Sequence, residues 1–203
     1  MARVAVVYYS TYGHIAKLAK RVFAGASSVE GVTTELFRFP ETLSDEILAK
    51  MHAAPKETDV PEFTTEDLTK FDGFIFGYPT RYGTMPAQVK SFFDATGGLW
   101  VKGALIGKGV SIFTSTGTQG GGSETTVLTS LPNFVHHGMI YVPTGYSFGE
   151  RLYDNSVVRG GTAYGVSTLA GGDGSRQPSE LELDYAEHQG KYVTGVFKKL
   201  AAK

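Results

Sequence analysis

The chain has 203 residues, of which 41% are hydrophobic and 19% charged, a balance typical of a globular domain with a sizeable core. A formal net charge of −1 provides no basic footprint, so we expect no nucleic-acid partner. The absence of cysteine excludes disulfides, thiolate nucleophiles and thiolate metal ligands, and it fits a reducing compartment.

No apolar run approaches the roughly 18 residues of a membrane span, so we expect no integral membrane segment. The first ten residues lack the longer apolar region and the cleavage site of a secretory signal. We therefore expect a cytoplasmic protein that folds as a single domain over residues 1–203 and carries no metal site.

Five runs rich in β-branched and aromatic residues predict strands buried on both faces. They cover residues 3–9, 32–39, 71–78, 109–114 and 139–142. Helices are predicted between and after them, over residues 15–23, 43–51, 86–95, 124–136 and 179–200. Pro132 is expected to kink the fourth helix or to end it early.

The last helix opens with Ser179, and Glu182 follows three positions later, which is the pattern of a capping box. Residues 144–178 before it are rich in glycine and show little periodicity. Such a long loop in a compact domain is usually functional. The alternation of strands and helices predicts an α/β fold with a doubly wound parallel sheet, helices on both faces and right-handed crossovers.

Ligands of such sheets bind beyond the carboxyl ends of the strands, where the strand order switches. The loop after the first strand consists of Ser10, Thr11, Tyr12, Gly13, His14 and Ile15. It opens a helix, whose free N–H groups and dipole suit a phosphate. Because it matches neither the dinucleotide nor the Walker pattern, a single phosphate held without lysine or Mg²⁺ fits better. An ordinary helix cap at Ser10 is the alternative.

Two further loops offer many hydrogen-bond donors at the ends of the third and fourth strands. The first covers residues 79–86, and its candidate ligand-binding residues are Pro79, Thr80, Arg81, Tyr82 and Gly83. The second covers residues 114–122, and its candidates are Ser115, Thr116, Gly117, Thr118, Gln119 and Gly120. Fixed N–H groups there can bond the polar edge of a planar ring such as a flavin, with Tyr82 near its face. The alternatives are a proline-rich turn and a flexible glycine-rich linker.

Several motifs together resemble those of the WrbA-like NAD(P)H:quinone oxidoreductases, and the likeness runs from end to end of the chain. They are STYGHI at 10–15, PTRYG at 79–83, TGGLW at 96–100, STGT at 115–118, HHGM at 136–139, VRGGT at 158–162 and AGGDGSRQP at 170–178. The resemblance implies a flavodoxin-like five-stranded sheet in the order 2-1-3-4-5, noncovalent FMN and a homotetramer. It also implies NADH or NADPH as hydride donor and two-electron reduction of benzoquinone-like substrates.

Carried over onto this sequence, the resemblance assigns the FMN phosphate to residues 10–15 and the ribityl chain and ring to residues 80–83 and 115–120. Tyr12 would line the nicotinamide side, and Trp100 and His136 would wall the pocket over the ring. Two departures bear on these assignments. Thr84 stands where the family often has asparagine, and Gln119 lengthens a loop in a way that could displace the glycines after it.

The individual roles leave alternatives open. His136 either bonds the quinone or the flavin or is a structural residue at a helix end, and His137 could take either role. Trp100 either presents its face to a ligand or anchors a core or an interface. Arg81 would hold a negative reduced flavin or would be a surface cation. Aromatic residues of the late glycine-rich region could bury a subunit interface, namely Tyr146, Phe148, Tyr153 and Tyr164.

One site used in turn by nicotinamide and quinone predicts ping-pong kinetics. A flavodoxin-type electron carrier is the main alternative, but such carriers gain from a strongly one-signed surface and the net charge here is only −1. The second alternative function is a non-enzymatic FMN-binding scaffold or regulator. The sequence leaves open the choice between NADH and NADPH, the physiological quinone and any peripheral membrane association.

Overall fold

The computed structural model of the protein describes residues 1–202. The strands are β1 Ala2–Tyr8, β2 Val32–Arg38, β3 Gly73–Pro79, β4 Gly109–Thr116, β5 Ile140–Tyr141 and β6 Ser167–Leu169. The α-helices are α1 His14–Ser27, α2 Asp45–Lys50, α3 Ala87–Asp94, α4 Gly97–Val101, α5 Ser123–His136 and α6 Glu180–Ala201. Two short 3₁₀ helices cover Glu66–Thr69 and Gly149–Leu152.

The strands form one parallel sheet in the order β2-β1-β3-β4-β5, which confirms the predicted doubly wound topology. The strand order switches direction between the neighbouring strands β1 and β3. After β1 the chain continues to β2 on one side of the pair, and after β3 it continues to β4 on the other side. A cleft between the loops that follow β1 and β3 is therefore the expected ligand site.

The fifth position of the sheet is shared by two short strands. β5 pairs with the start of β4 at Gly109 and Val110, and β6 pairs with the end of β4 from Thr114 to Thr116. The interpretation of residues 144–178 as irregular is therefore wrong at β6 and at the second 3₁₀ helix. A strand of three residues is too short to display a period of its own, and its partner lies about 50 positions away.

Alternate residues of β1 face two separate cores, as expected for a strand buried on both sides. Val4 and Val6 pack with α1 and α6 on one face of the sheet. Ala5 and Val7 pack on the other face, in a cluster rich in phenylalanine to which α3 contributes Phe93 and α5 contributes Phe134. The prediction of helices on both faces is confirmed, and the layers leave only the strand ends open to a ligand.

Two local predictions about the helices can be compared directly with the structure. The capping box at the start of α6 is present, because Ser179 Oγ accepts from Glu182 N and Glu182 Oε2 accepts from Ser179 N. α5 runs on through Pro132 to His136 rather than ending at the proline. No helix of residues 1–202 is both long enough and apolar enough to cross a membrane.

Candidate functional site

A cleft of about 210 Å³ lies at the carboxyl ends of β1, β3 and β4. It is lined by Ser10, Thr11, Tyr12, His14, Ile15, Pro79, Thr80, Arg81, Ser115, Thr116, Gly117, Ala170, Gly171 and Gly174. The three loops singled out in the sequence therefore meet at one place, and a fourth segment after β6 completes the wall.

The loop after β1 leaves the first N–H groups of α1 free. α1 begins at His14, and no side chain caps its N-terminus. Gly13 precedes it with φ +88°, a backbone conformation that favours glycine, and its N–H donates to Ser10 Oγ at 3.1 Å. An uncapped helix N-terminus that opens into a cleft attracts an anion of the size of a phosphate.

The loop after β3 is a two-residue turn that displays Tyr82. Arg81 N donates to the carbonyl of Thr84 at 2.8 Å, and Thr84 N donates back to the carbonyl of Arg81 at 3.1 Å. Both central residues have positive φ, +54° at Tyr82 and +81° at Gly83, as a type I′ turn requires. The Tyr82 ring is fully exposed, and a tyrosine held in this strained conformation suggests a functional role.

The guanidinium of Arg81 faces the first loop. Its Nη2 donates to Thr11 Oγ1 at 3.0 Å and its Nη1 to the carbonyl of Thr80 at 2.9 Å. It pairs with no carboxylate within residues 1–202. This uncompensated positive charge favours an anionic ligand in the cleft.

Backbone hydrogen bonds connect the other loops to one another. Thr80 N donates to the carbonyl of Ser115 at 2.9 Å, and Ala170 N donates to the carbonyl of Thr116 at 2.8 Å. Gly171 lies close to Gly117, since a Cβ on Gly117 would stand 3.6 Å from the Gly171 carbonyl oxygen. Sequence reasoning did not assign Ala170, Gly171 or Gly174 to the site, although the AGGDG motif was a signal that could have indicated them.

Some residues expected to bind FMN do not line this cleft. They are Gly13, Tyr82, Gly83, Thr118, Gln119, Gly120 and His136. Gly13 shapes the turn before α1, and Tyr82 and Gly83 form the turn beyond Arg81. Gln119 and Gly120 line a neighbouring cavity against residues 160–162. Their contact with FMN stays a prediction.

Trp100 and His136 lie together in a second cleft of about 340 Å³ between α4 and α5. This cleft shares no lining residue with the first. Trp100 belongs to the short helix α4 and is 56% exposed, and His136 is exposed at the end of α5. Within one chain, neither residue reaches the cleft formed by the loops after β1, β3 and β4.

The buried His137 beside them has a defined tautomer. Thr96 Oγ1 donates its only hydrogen to the carbonyl of Phe93 at 2.6 Å, so it must accept from His137 Nε2–H at 2.8 Å. His137 Nδ1 is buried without a partner. Burial, and after it the neighbouring His136, lower the pKa of His137.

This lowered pKa predicts an acid-dependent loss of stability. Above about pH 6.5, the ordinary value for histidine, His137 is neutral in both the folded and the unfolded chain. As the pH falls below that value, the unfolded chain takes up the proton first, so the free energy of unfolding decreases down to the folded pKa. In His137→Gln, an amide N–H can donate to Thr96 but cannot titrate. We expect its urea midpoint to fall less than that of the wild type between pH 7.5 and 5.5.

His188 also has a pKa lowered by burial, and it remains in both proteins, so the difference between them isolates His137. Equal pH dependence of the two urea midpoints would show that His137 is not a buried neutral base.

The fold and the cleft together define a class of protein. A doubly wound parallel sheet with an uncapped helix N-terminus after β1 and donor-rich loops after β3 and β4 is a flavodoxin-like architecture. No group of three or more metal-ligating side chains occurs within the described residues.

Comparison with known proteins gives the family. The sequence profile of the NADPH-dependent FMN reductases matches residues 3–154, and the chain belongs to this family. It is 56% identical over 198 residues to the quinone-oxidoreductase QR2 of Triphysaria versicolor, covering 98% of this chain and 96% of that protein. It is 52% identical over 199 residues to a probable NAD(P)H dehydrogenase (quinone), FQR1-like 2, of Arabidopsis thaliana, covering 98% of this chain and 72% of that protein.

Among solved structures, the fold is similar to that of a WrbA-like flavodoxin from Agrobacterium tumefaciens. The TM-score is 0.67 at 23% identity, and the alignment covers 98% of this chain and 99% of that one. At this level of identity the likeness supports the fold, and it agrees with the strand order derived above.

Proposed function

We propose that the protein is an FMN-dependent NAD(P)H:quinone oxidoreductase that reduces benzoquinone-like substrates by two electrons. The observation that carries the proposal is the cleft, in which an uncapped helix N-terminus, an unpaired arginine and three donor-rich loops converge. The family match and the names of the two relatives support the same activity.

The residues present fit FMN. The free N–H groups at the start of α1, with the hydroxyls of Ser10 and Thr11, would hold the phosphate. Thr80 and residues 115–117 would bond the ribityl chain and the polar edge of the ring. Arg81 would lower the energy of negative charge on the reduced ring. When bound, FMN supplies hydride chemistry between NAD(P)H and quinone, while the protein binds and orients the reactants.

Tyr12 lies at the mouth of the cleft and is 49% exposed. Its ring would line the side on which the nicotinamide approaches. One mouth would then serve NAD(P)H and quinone in turn, which gives ping-pong kinetics. No side chain of the cleft needs to act as a catalytic acid or base in this scheme.

We also propose a homotetramer, in which Trp100 and His136 wall the ring of a neighbouring copy. In one chain these residues line a separate cleft, so only another subunit can bring them over the first one. Several apolar side chains close to them in the sequence are exposed and would be available to such an interface, namely Val101, Ile106, Val135 and Ile140. Sedimentation velocity of the FMN-loaded protein measures its mass and so tests the tetramer.

We also propose that the protein works in the cytoplasm. Its cysteine-free composition suits a reducing compartment.

Anaerobic spectroscopy tests the proposed activity. FMN-loaded protein is mixed with NADH and, separately, with NADPH, while the visible absorbance of the flavin is followed, and benzoquinone is then added. We expect complete bleaching in a single two-electron stage, followed by recovery of the absorbance on addition of the quinone. The faster donor identifies the preferred nicotinamide.

Each alternative function gives a different result in this experiment. Reduction in two separate one-electron stages would favour an electron carrier. Absence of bleaching with either donor would reject the enzyme and favour a scaffold that retains FMN. The family description also raises the option that FMN is a substrate that leaves after reduction. In that case, filtration after reduction would leave the flavin in the filtrate rather than with the protein.

A further inference from the structure

A buried carboxylate at the start of α6 gathers hydrogen bonds from four directions. The Glu182 side chain is fully buried. Its Oε1 accepts from Gly160 N at 2.8 Å, and its Oε2 accepts from Ser179 N and Thr168 Oγ1, each at 2.8 Å, and from Arg176 Nη1 at 3.0 Å. A capping box needs only the bond from Ser179. The other three join α6 to β6 and to the loops on either side of it.

Arg176 extends this set of bonds to the cleft. Its guanidinium also donates to the carbonyls of Leu169 at 2.7 Å and Val158 at 3.1 Å. Its backbone N–H donates to the carbonyl of Ala170 at 2.9 Å, which closes the loop over residues 170–176. Its own carbonyl accepts from His14 Nε2 at 2.9 Å. Arg176 therefore touches both the late glycine-rich wall of the cleft and the first residue of α1.

We propose that Glu182 is a positioning residue for FMN, which acts through Arg176 on residues 170–174 and on His14. The inference rests on the proposed placement of FMN in this cleft. Glu182 itself does not line the cleft, so its effect on the cofactor must pass through the geometry of the loop. The loop gains from this support because Gly171 and Gly174 have positive φ, and glycine allows the backbone other conformations at both positions.

Replacement by glutamine tests the charge while the shape of the side chain is kept. All four partners of Glu182 are donors, and an amide offers only one acceptor oxygen. The substituted amide can keep that oxygen towards Arg176 and Ser179, but its NH₂ group then faces Gly160 N–H. The ion pair is lost as well, so Arg176 is held less firmly.

The experiment compares Glu182→Gln with the wild type and with Val193→Ala. Val193 is a fully buried core residue of α6 that has no contact with the cleft, so its truncation lowers stability without changing the loop. For Glu182→Gln we expect the Kd of FMN to rise about 10-fold, because part of the ordering of the loop must then accompany FMN binding. We expect the Kd of Val193→Ala to stay within about twofold of the wild-type value at a comparable loss of thermal stability.

A second readout reports on the loop itself. Amide hydrogen exchange of residues 170–176 in the FMN-free protein should be faster in Glu182→Gln and unchanged in Val193→Ala. If Glu182→Gln does not fold, Arg176→Met removes the same link from a partly exposed position and is measured instead.

Unchanged FMN affinity in the variant that folds would overturn the inference, and so would an equal loss of affinity in Val193→Ala. Either result leaves the placement of FMN intact, because that placement is tested separately by substitution of the loop after β1.

Discussion

Ser10→Asp is expected to abolish tight FMN binding while leaving the FMN-free protein at least as stable as the wild type. A carboxylate at position 10 can still accept the Gly13 N–H bond, and a negative charge beside the N-terminus of α1 is favourable. The same charge would repel the FMN phosphate. Two like charges about 4 Å apart near a protein surface interact by about 4 kcal/mol, and after discount for screening the Kd should rise about 100-fold.

Ser27→Asp is the matched control, because it introduces the same charge at the exposed last residue of α1. Its FMN affinity should match that of the wild type. Fluorescence titration of FMN gives the Kd, and thermal melting of the FMN-free proteins gives the stability. Binding by Ser10→Asp within about threefold of the wild type would show that the phosphate is not held by the loop after β1.

Gly190→Ala is expected to be strongly destabilising, although it adds only one methyl group to a sheet-covering helix. A Cβ at position 190 would stand 2.0 Å from the carbonyl oxygen of Val22 and 2.9 Å from Ala26 N, because α1 and α6 touch backbone to backbone. Backbone atoms cannot yield as a flexible side chain can, so α6 must move outwards. We expect the free energy of unfolding to fall by about 3 kcal/mol, which for a chain of this size lowers the Tm by roughly 6–12 °C.

Gly195→Ala is the control for this substitution on the same helix, where an added Cβ meets no atom within 4 Å. There the higher helix propensity of alanine should stabilise the protein by about 1 kcal/mol. Opposite shifts of Tm for the two alanines are the expected result. A melting temperature of Gly190→Ala equal to that of the wild type would contradict the close contact of α1 and α6.

Both predictions concern α1. The same helix presents its free N-terminus to the cleft and packs its C-terminal half against α6 through Gly25, where a Cβ would stand 1.9 Å from the carbonyl oxygen of Glu187. α6 in turn carries Glu182, which holds the late wall of the cleft. The close packing of these two helices therefore links the loop after β1 to the loop after β6.

Much of the fold could be predicted because its signals are local. Residues 3–9 and 71–78 read as buried strands from their continuous apolar runs, and both strands are present with their ends shifted by one or two residues. The capping box at Ser179 and Glu182 predicted the start of α6 correctly. The loops after β1, β3 and β4 were recognisable as donor-rich turns that follow buried strands, and they do line one cleft.

Other features depended on contacts between distant parts of the chain. β6 exists because Ser167–Leu169 pairs with the end of β4, and no local period marks three such residues. This pairing places Ala170, Gly171 and Gly174 in the cleft. The sequence predicted Glu182 as the partner of Ser179 in a capping box. In the structure its carboxylate also accepts hydrogen bonds from three further segments.

The sequence by itself determined five of the six strands, the α-helices except α4, and the three loops that suit a phosphate and a planar ring. Side-chain period and turn chemistry are local properties, so these features could be predicted. Only the tertiary structure decided that a fourth segment completes the cleft and that Trp100 and His136 lie apart from it in the same chain. Those facts follow from long-range strand pairing and helix packing, whose geometry no single stretch of sequence encodes.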